Sequence, residues 1–589
     1  MTVNMQGDGL KMDQENLIAL QEVIAVARGE AEPDLLLLNA LIVNVFNGEI
    51  VRGNVVVKNG MIAAIGDYPK GVEIIDLAGQ YLLPGLIDAH IHIESSMLTP
   101  PAFAAAALPH GTTAVVADPH EIANIAGLEG LRFMLEASKD LPLDFYYTIP
   151  SCVPASPLET AGAVMGPAEV AQAFTLHPAS PGLGEMMNYP GVLAGDPVVL
   201  AKILQARSAG YQVDGHAPLL HGRELNAYVA AGVTSDHECS TAAEAREKLS
   251  LGMAVLIREG SAAKNLLDLL PVVDEHTCPV TFFCCDDRHP ADLMVEGGMD
   301  NILRRAVAAG LEPVRAVQMA TINAARHYKL SGRGGIAPGY KADLVVVDNL
   351  ENFTVQMVFK EGRLVARNGE FIGKIPLKAS LQTLHKSVQL PELRGRFVPG
   401  KQPTPSAKAR VITVEPGQLL TGVQYLTAAE LETADDILRV AVVERHAKNG
   451  NVAAGFVQGF GPLRGALAST VAHDSHNLIV VGSGEAEMEL AAQTVAAEGG
   501  GLAVVAAGGG VEAILPLPVA GLMSDQDGAT VAHRHALLSA AARKIGCTLP
   551  QPFMTLSFLA LPVIPKLKIT DQGLVDVNRF TIVELWEEV

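Results

Sequence analysis

Residues 84–92 read PGLIDAHIH. An apolar run ends in Asp88, His90 and His92, and in a β-strand residues two apart share one face. The two imidazoles therefore point the same way from one rigid support, where they can hold a divalent cation. An H-x-H pair alone is weak evidence, because a lone buried histidine is more often a hydrogen-bonded core residue. The rest of the chain decides whether other strands end alike.

Apolar runs ending in polar residues recur at 113–119, 144–150, 182–186, 212–217, 232–238, 253–260 and 279–287. Helical stretches separate them, among them 122–138, 197–208, 241–249 and 262–269. With residues 86–92 this predicts eight strands alternating with helices over about 245 residues, the size of a (β/α)8 TIM-type barrel. An open doubly wound sheet is the alternative, but no G-x-G-x-x-G follows the first strand.

Strand-rich segments flank this middle. Asn47-Gly48 and Asn59-Gly60 sit between apolar runs as hairpin turns, and GGIAPGYKADLVVVD (334–348) opens a second such segment. The expected α/β organisation is a helix at 14–27 and the first part of a composite small β-domain within 1–84. The barrel follows at 85–330, the second part of the β-domain at 331–380, a Lys/Pro/Gln-rich linker at 381–415, and a C-terminal α/β domain at 416–589.

Of the 589 residues, 49% are hydrophobic and 18% charged, so a disordered chain is excluded. The net charge of −21 argues against a nucleic-acid backbone or an anionic membrane as partner. The 6 cysteines include no C-x-x-C, which argues against a thiolate zinc knuckle. The first thirty residues lack a basic-then-apolar signal pattern and 501–523 is broken by Gly, Glu and Pro, so a cytoplasmic protein is expected, a dimer or tetramer of identical chains.

Barrel strands direct their C-terminal ends to one mouth. Glu185 ends the fourth, His216 the fifth, His237 the sixth and Asp286-Asp287 the eighth. Together with His90 and His92 they form a nitrogen/oxygen set large enough for two divalent cations, with Glu185 as candidate bridge. Without cysteine the set admits Mn, Fe or Zn. Two such ions sharing a water lower its pKa and supply hydroxide. Asp286 is the candidate proton shuttle, and the reaction class is hydrolysis of a C–N bond at a trigonal carbon. Asp118, His120 and Glu121 close the second strand and are candidate extra ligands or substrate contacts, as is Ser151. Glu238 is a candidate proton donor to a substrate ring, and Asp287 competes with Asp286 as ligand. Arg258 and Glu259 are read as an ion pair, and His473, Asp474 and His476 as a polar turn packed between domains. His110, His177 and His276 lie away from strand ends and are not assigned to the site.

PGLIDAHIH and GGIAPGYKADLVVVD resemble the amidohydrolase superfamily over residues of about 35–375. Many of its members use a carboxylated lysine on strand four, where this chain has Glu185 in GLGEMMNYPGV. A narrower resemblance is to the bacterial adenine deaminase family. It rests on AHIHIESSM, ADPHEIANIAG, SCVPASP, DGHAP, SDHE, CCDDRHP and, further on, AHDSHN and GLMSDQ. It implies hydrolysis of adenine to hypoxanthine and ammonia, with His90 and His92 on one metal, His216 and His237 on the other, Glu185 bridging, and Asp286 both ligand and proton shuttle. The competing readings are a cyclic amidase, which would need the missing lysine, and a non-catalytic relative, which would have lost the ligands. A zinc deaminase of the other fold is excluded by the missing P-C-x-x-C.

Overall fold

The computed structural model describes residues 6–373, 384–385, 387–415 and 418–588. After the helix Gln6–Ala27, strands Leu35–Asn44, Glu49–Lys58 and Met61–Ile65 form consecutive antiparallel hairpins. Asn59 and Gly60 take φ of 53° and 73°, the left-handed pair that a tight hairpin turn requires. Leu344–Val347 then pairs antiparallel with Tyr81–Pro84. One sheet thus combines strands from before and after the middle of the chain, around a core of Leu37, Ile42, Val55, Leu82, Leu344 and Phe359.

The middle supplies eight strands: β1 (Leu86–Ile91), β2 (Thr112–Ala117), β3 (Asp144–Tyr147), β4 (Gly182–Met186), β5 (Gln212–Gly215), β6 (Ser235–Asp236), β7 (Ala254–Arg258) and β8 (Thr281–Cys284). Parallel ladders join β1 to β2 and β2 to β3. An Ile149–Leu183 bridge leads to β4, which pairs with β5. The Thr234 amide donates to the Val213 carbonyl at 2.9 Å, and β6, β7 and β8 pair in turn. Finally Ile91 and Asp286 form a parallel bridge between the ends of β1 and β8. Every residue of β1, β2, β4, β7 and β8 is buried, as expected of parallel strands covered on both faces. The stretch read as one helix at 122–138 is two, His120–Ala126 and Leu128–Ala137, with Gly127 between them at φ 57°. In 262–269 only Leu266–Leu269 is helical.

The linker expectation for 381–415 is corrected. Ala407–Val414 is a strand, paired with Thr421–Leu426, Val452–Gln458 and Trp586–Glu588. The Lys/Pro/Gln composition of the whole window concealed an alternating eight-residue run, AKARVITV. Residues 381–383 and 386 of the same window lie outside the described residues. The strand belongs to a second large sheet that ends at Gly510–Pro516. Met488, Ala491 and Val495 of helix Glu485–Ala497 share a core with Val443, Val480 and Ala503 of that sheet. Among the described residues no helix is long and apolar enough to cross a membrane.

Candidate metal centre

Glu185 stands at the end of β4 with histidines on both sides. Its Oε1 lies 3.1 Å from His92 Nε2, 3.7 Å from His90 Nε2 and 3.3 Å from His120 Nδ1. Its Oε2 lies 2.6 Å from His216 Nδ1 and 3.2 Å from His237 Nε2. Asp286 Oδ1 faces the first group, 3.6 Å from His90 and 3.2 Å from His92. Seven side chains at or just beyond the ends of β1, β2, β4, β5, β6 and β8 thus converge, all of them buried. Of Asp286 and Asp287, left open by spacing alone, Asp286 faces the histidines, whereas Asp287 accepts a hydrogen bond from Ser95.

The backbone explains how Glu185 is held. A Cβ on Gly184 would lie 2.1 Å from Asp118 Oδ2, so only glycine lets that carboxylate approach. Asp118 Oδ2 then accepts the Glu185 amide at 3.0 Å, and the Asp118 carbonyl lies 3.0 Å from His92 Nδ1. A proton on His92 Nδ1 leaves Nε2 free as a donor to a cation. Ser151 Oγ donates to the Glu185 carbonyl at 2.5 Å, while Lys202 Nζ donates to the Ser151 carbonyl at 2.7 Å. Asp118 and Ser151 therefore support Glu185 from behind.

The electrostatics favour added cations. Burial alone would raise Glu185, yet the facing His237 and His216 hold it well below the usual carboxylate range. Burial opposes charge on His237 as well, but Glu185 and the neighbouring carboxylates push it up to about 9. Arg258 Nη1 bonds Asp286 Oδ2 at 2.7 Å, and the same guanidinium grips Glu238 through both nitrogens. Burial would raise Glu238, but Arg258 keeps it below its ordinary value. His90 Nε2 and His216 Nε2 are buried without hydrogen-bond partners. Unpartnered imidazole nitrogens among anionic carboxylates fit divalent cations.

Two features depart from the sequence expectations. Arg258 and Glu259 do not pair with each other: Arg258 joins Glu238 to Asp286, and Glu259 pairs with Arg305. Successive strand residues point to opposite faces, which separates them. The 473–476 turn is not merely interdomain packing. His473 Nδ1 lies 2.6 Å from Glu121 Oε1, and His476 Nε2 bonds Glu121 Oε2. His473 and Asp474 line the cleft above the donors, together with apolar Met187, Leu419, Phe558, Leu561 and Ile564. The string AHDSHN was a signal for the turn; isolated apolar residues such as Leu419 and Phe558 gave none. His110 faces Asp300, His276 is exposed beside Glu275, and His177 stands apart; none reaches the centre.

Residues 81–365 match the amidohydrolase family, and 420–581 match the adenine deaminase C-terminal domain. The chain is 49% identical over 573 residues to the adenine deaminase of Desulfatibacillum aliphaticivorans, covering 96% of this chain and 99% of that one. It is 48% identical over 573 residues to adenine deaminase 2 of Carboxydothermus hydrogenoformans, again covering 96% and 99%. A solved β-aspartyl dipeptidase from Fervidobacterium islandicum AW-1 aligns with 58% of this chain and 99% of its own at 16% identity, with a TM-score of 0.44. The class is therefore the amidohydrolases, mixed α/β hydrolases that depend on divalent metal. Within it, the full-length similarity settles the narrower group: the chain belongs to the adenine deaminase family.

Proposed function

We propose that the chain hydrolyses adenine to hypoxanthine and ammonia at a centre of two divalent cations (Mn, Fe or Zn). The centre sits at the C-terminal mouth of β1–β8, which we read as a closed (β/α)8 barrel. The carrying observation is Glu185, whose two oxygens face separate histidine groups, in a chain similar to adenine deaminases along almost its whole length. His90, His92 and Asp286 would hold one cation, His216 and His237 the other, with Glu185 shared. Bound there, the cations would polarise a water and lower its pKa towards neutrality.

The chain's own residues supply the rest. Asp286 turns Oδ1 to the histidines while Arg258 fixes Oδ2. Held as a carboxylate, Asp286 takes the proton from the attacking water and returns it to the departing amine. The C6–O bond forms first, moving the C6=N1 electron pair onto N1; the bond to the exocyclic amine then breaks, ammonia leaves, and the remaining O–H proton passes to N1 to give hypoxanthine. Glu238 lines the same cleft. Held ionised by Arg258, it suits accepting a hydrogen bond from the substrate's N–H edge rather than donating a proton. Phe558, Leu419 and Ile564 line the same cleft and give it an apolar surface for the flat faces of a purine.

The test is the adenine-to-hypoxanthine absorbance change and ammonia release after loading with Mn²⁺, Fe²⁺ or Zn²⁺, with adenosine and cytosine as controls. Turnover of adenine in preference to both is expected. No turnover with two metals bound would overturn the assignment.

A further inference from the structure

Beyond the Glu185 centre, buried donor groups meet again where the end of β2 touches the C-terminal region. We propose that His120, Glu121, His473 and Asp474 form a third divalent-cation site, distinct from the pair at Glu185, which ties the 473–476 turn to the barrel strands.

The donor atoms surround one small volume. Glu121 Oε1 lies 2.6 Å from His473 Nδ1 and 3.5 Å from His120 Nε2. Asp474 Oδ1 lies 3.6 Å from His473 Nδ1, and Asp474 Oδ2 lies 3.9 Å from His120 Nε2. Ligands at about 2.0–2.2 Å from a tetrahedral cation stand roughly 3.3–3.6 Å apart, so three of these separations need little adjustment. The fourth, His473 to Glu121, is a closer contact that must open to admit a cation, while Asp474 Oδ2 has no hydrogen-bond partner. All four side chains are at most 4% exposed. Carboxylate oxygens and imidazole nitrogens gathered out of reach of water make a mixed donor set that suits a divalent cation.

His476 acts differently, although it also touches Glu121. Its Nδ1 accepts the Ala472 amide at 3.1 Å, so Nε2 carries the hydrogen and donates to Glu121 Oε2. That bond orients the carboxylate and leaves Oε1 for the cation, as hydrogen bonds to metal-binding carboxylates commonly do. The buried Arg445 in turn bonds the His476 carbonyl and, at 3.0 Å, that of Ala520, which fixes the turn. A cation on His120 Nε2 would also place the proton of that ring on Nδ1, the atom facing Glu185 Oε1 at 3.3 Å. The third site would thereby set the tautomer of a histidine beside the catalytic pair.

The test is an anomalous-difference map from crystals of the full-length protein grown with Zn²⁺, recorded at the zinc edge, together with metal analysis after gel filtration. The expected result is a peak among His120, Glu121, His473 and Asp474 besides those at Glu185. Wild type should carry three equivalents, and His473→Asn or Asp474→Asn two, with the Glu185 peaks retained. Peaks at Glu185 alone, or equal metal content in wild type and a folded variant, would overturn the third site and leave the catalytic reading standing. Absence of the Glu185 peaks with the third present would do the reverse. Asp474→Asn is the second variant in case His473→Asn does not fold.

Discussion

His90 and His92 reach the centre by the pleat of one strand, whereas His473 and His476 reach the same region from a turn 355 residues beyond Glu121. The first pair is set by strand geometry, and its neighbours by the convergence of parallel strand ends. The second depends on how another sheet seats itself over that mouth, with Ser524 pairing alongside Leu98 and the Ser524 amide donating to the Met97 carbonyl. One part of the site is built on rigid parallel strands; the other is delivered by packing. The two should therefore fail differently when perturbed.

The largest effect belongs to the strand-borne part. Glu185→Gln removes the charge facing both histidine groups, so it should lower metal content towards zero and kcat by at least ~10³-fold, on the order of 4 kcal/mol. Metal analysis and adenine turnover on the same sample check this. Full activity would show that the bridge lies elsewhere and that the comparison is drawn around the wrong residue.

A smaller effect is expected one residue away. In Gly184→Ala the new Cβ meets the Asp118 carboxylate at 2.1 Å, so Asp118 must move and the Glu185 amide loses its acceptor. Disturbing groups that orient metal ligands costs about 10–100-fold in metal affinity. Competition with a chelator measures it. Unchanged affinity would mean that the strand tolerates shifts which the packing of its neighbours argues against.

How far the site could be read in advance follows the same division. The strand ends were legible because buried parallel strands are mostly apolar, so the polar residues near their C-terminal ends stand out. His90, His92, Glu185, His216, His237 and Asp286 are all of this kind. The strand Ala407–Val414 was missed because eight alternating residues were averaged into a polar window. The Arg258 bridge was missed because its partners, Glu238 and Asp286, lie on other strands, 20 and 28 residues away. Leu419 and Phe558 were invisible, since one apolar residue in a sheet-rich region is indistinguishable from core until its neighbours are known.

The smallest effect on turnover, and the one that probes the packed side alone, concerns Lys568. It is fully buried, and its Nζ donates at 2.9 Å to the carbonyls of Leu419 and Phe558, two residues of the apolar wall. Burial lowers its pKa to about 7, against about 10.4 for a free lysine. Between those values the unfolded chain binds a proton that the folded chain does not, so folded stability rises as pH climbs from 7 to 10 and is lost again as pH falls towards 7. The slope is at most roughly 1.4 kcal/mol per pH unit, less wherever the neighbours relax. Neutral lysine keeps two hydrogens, enough for both carbonyls, so the wall stays in place as the charge is lost. Lys568→Met removes the titration and both bonds. The Tm of wild type minus that of Lys568→Met should therefore increase from pH 7 to pH 10, with metal content unchanged in both. Parallel Tm curves would mean that the amine stays charged in the fold and that the wall rests on an ion this reading does not include. A loss of metal alongside the Tm change would show that packing from the C-terminal side supports the strand-end donors directly, and the division between the two parts of the site would have to be redrawn.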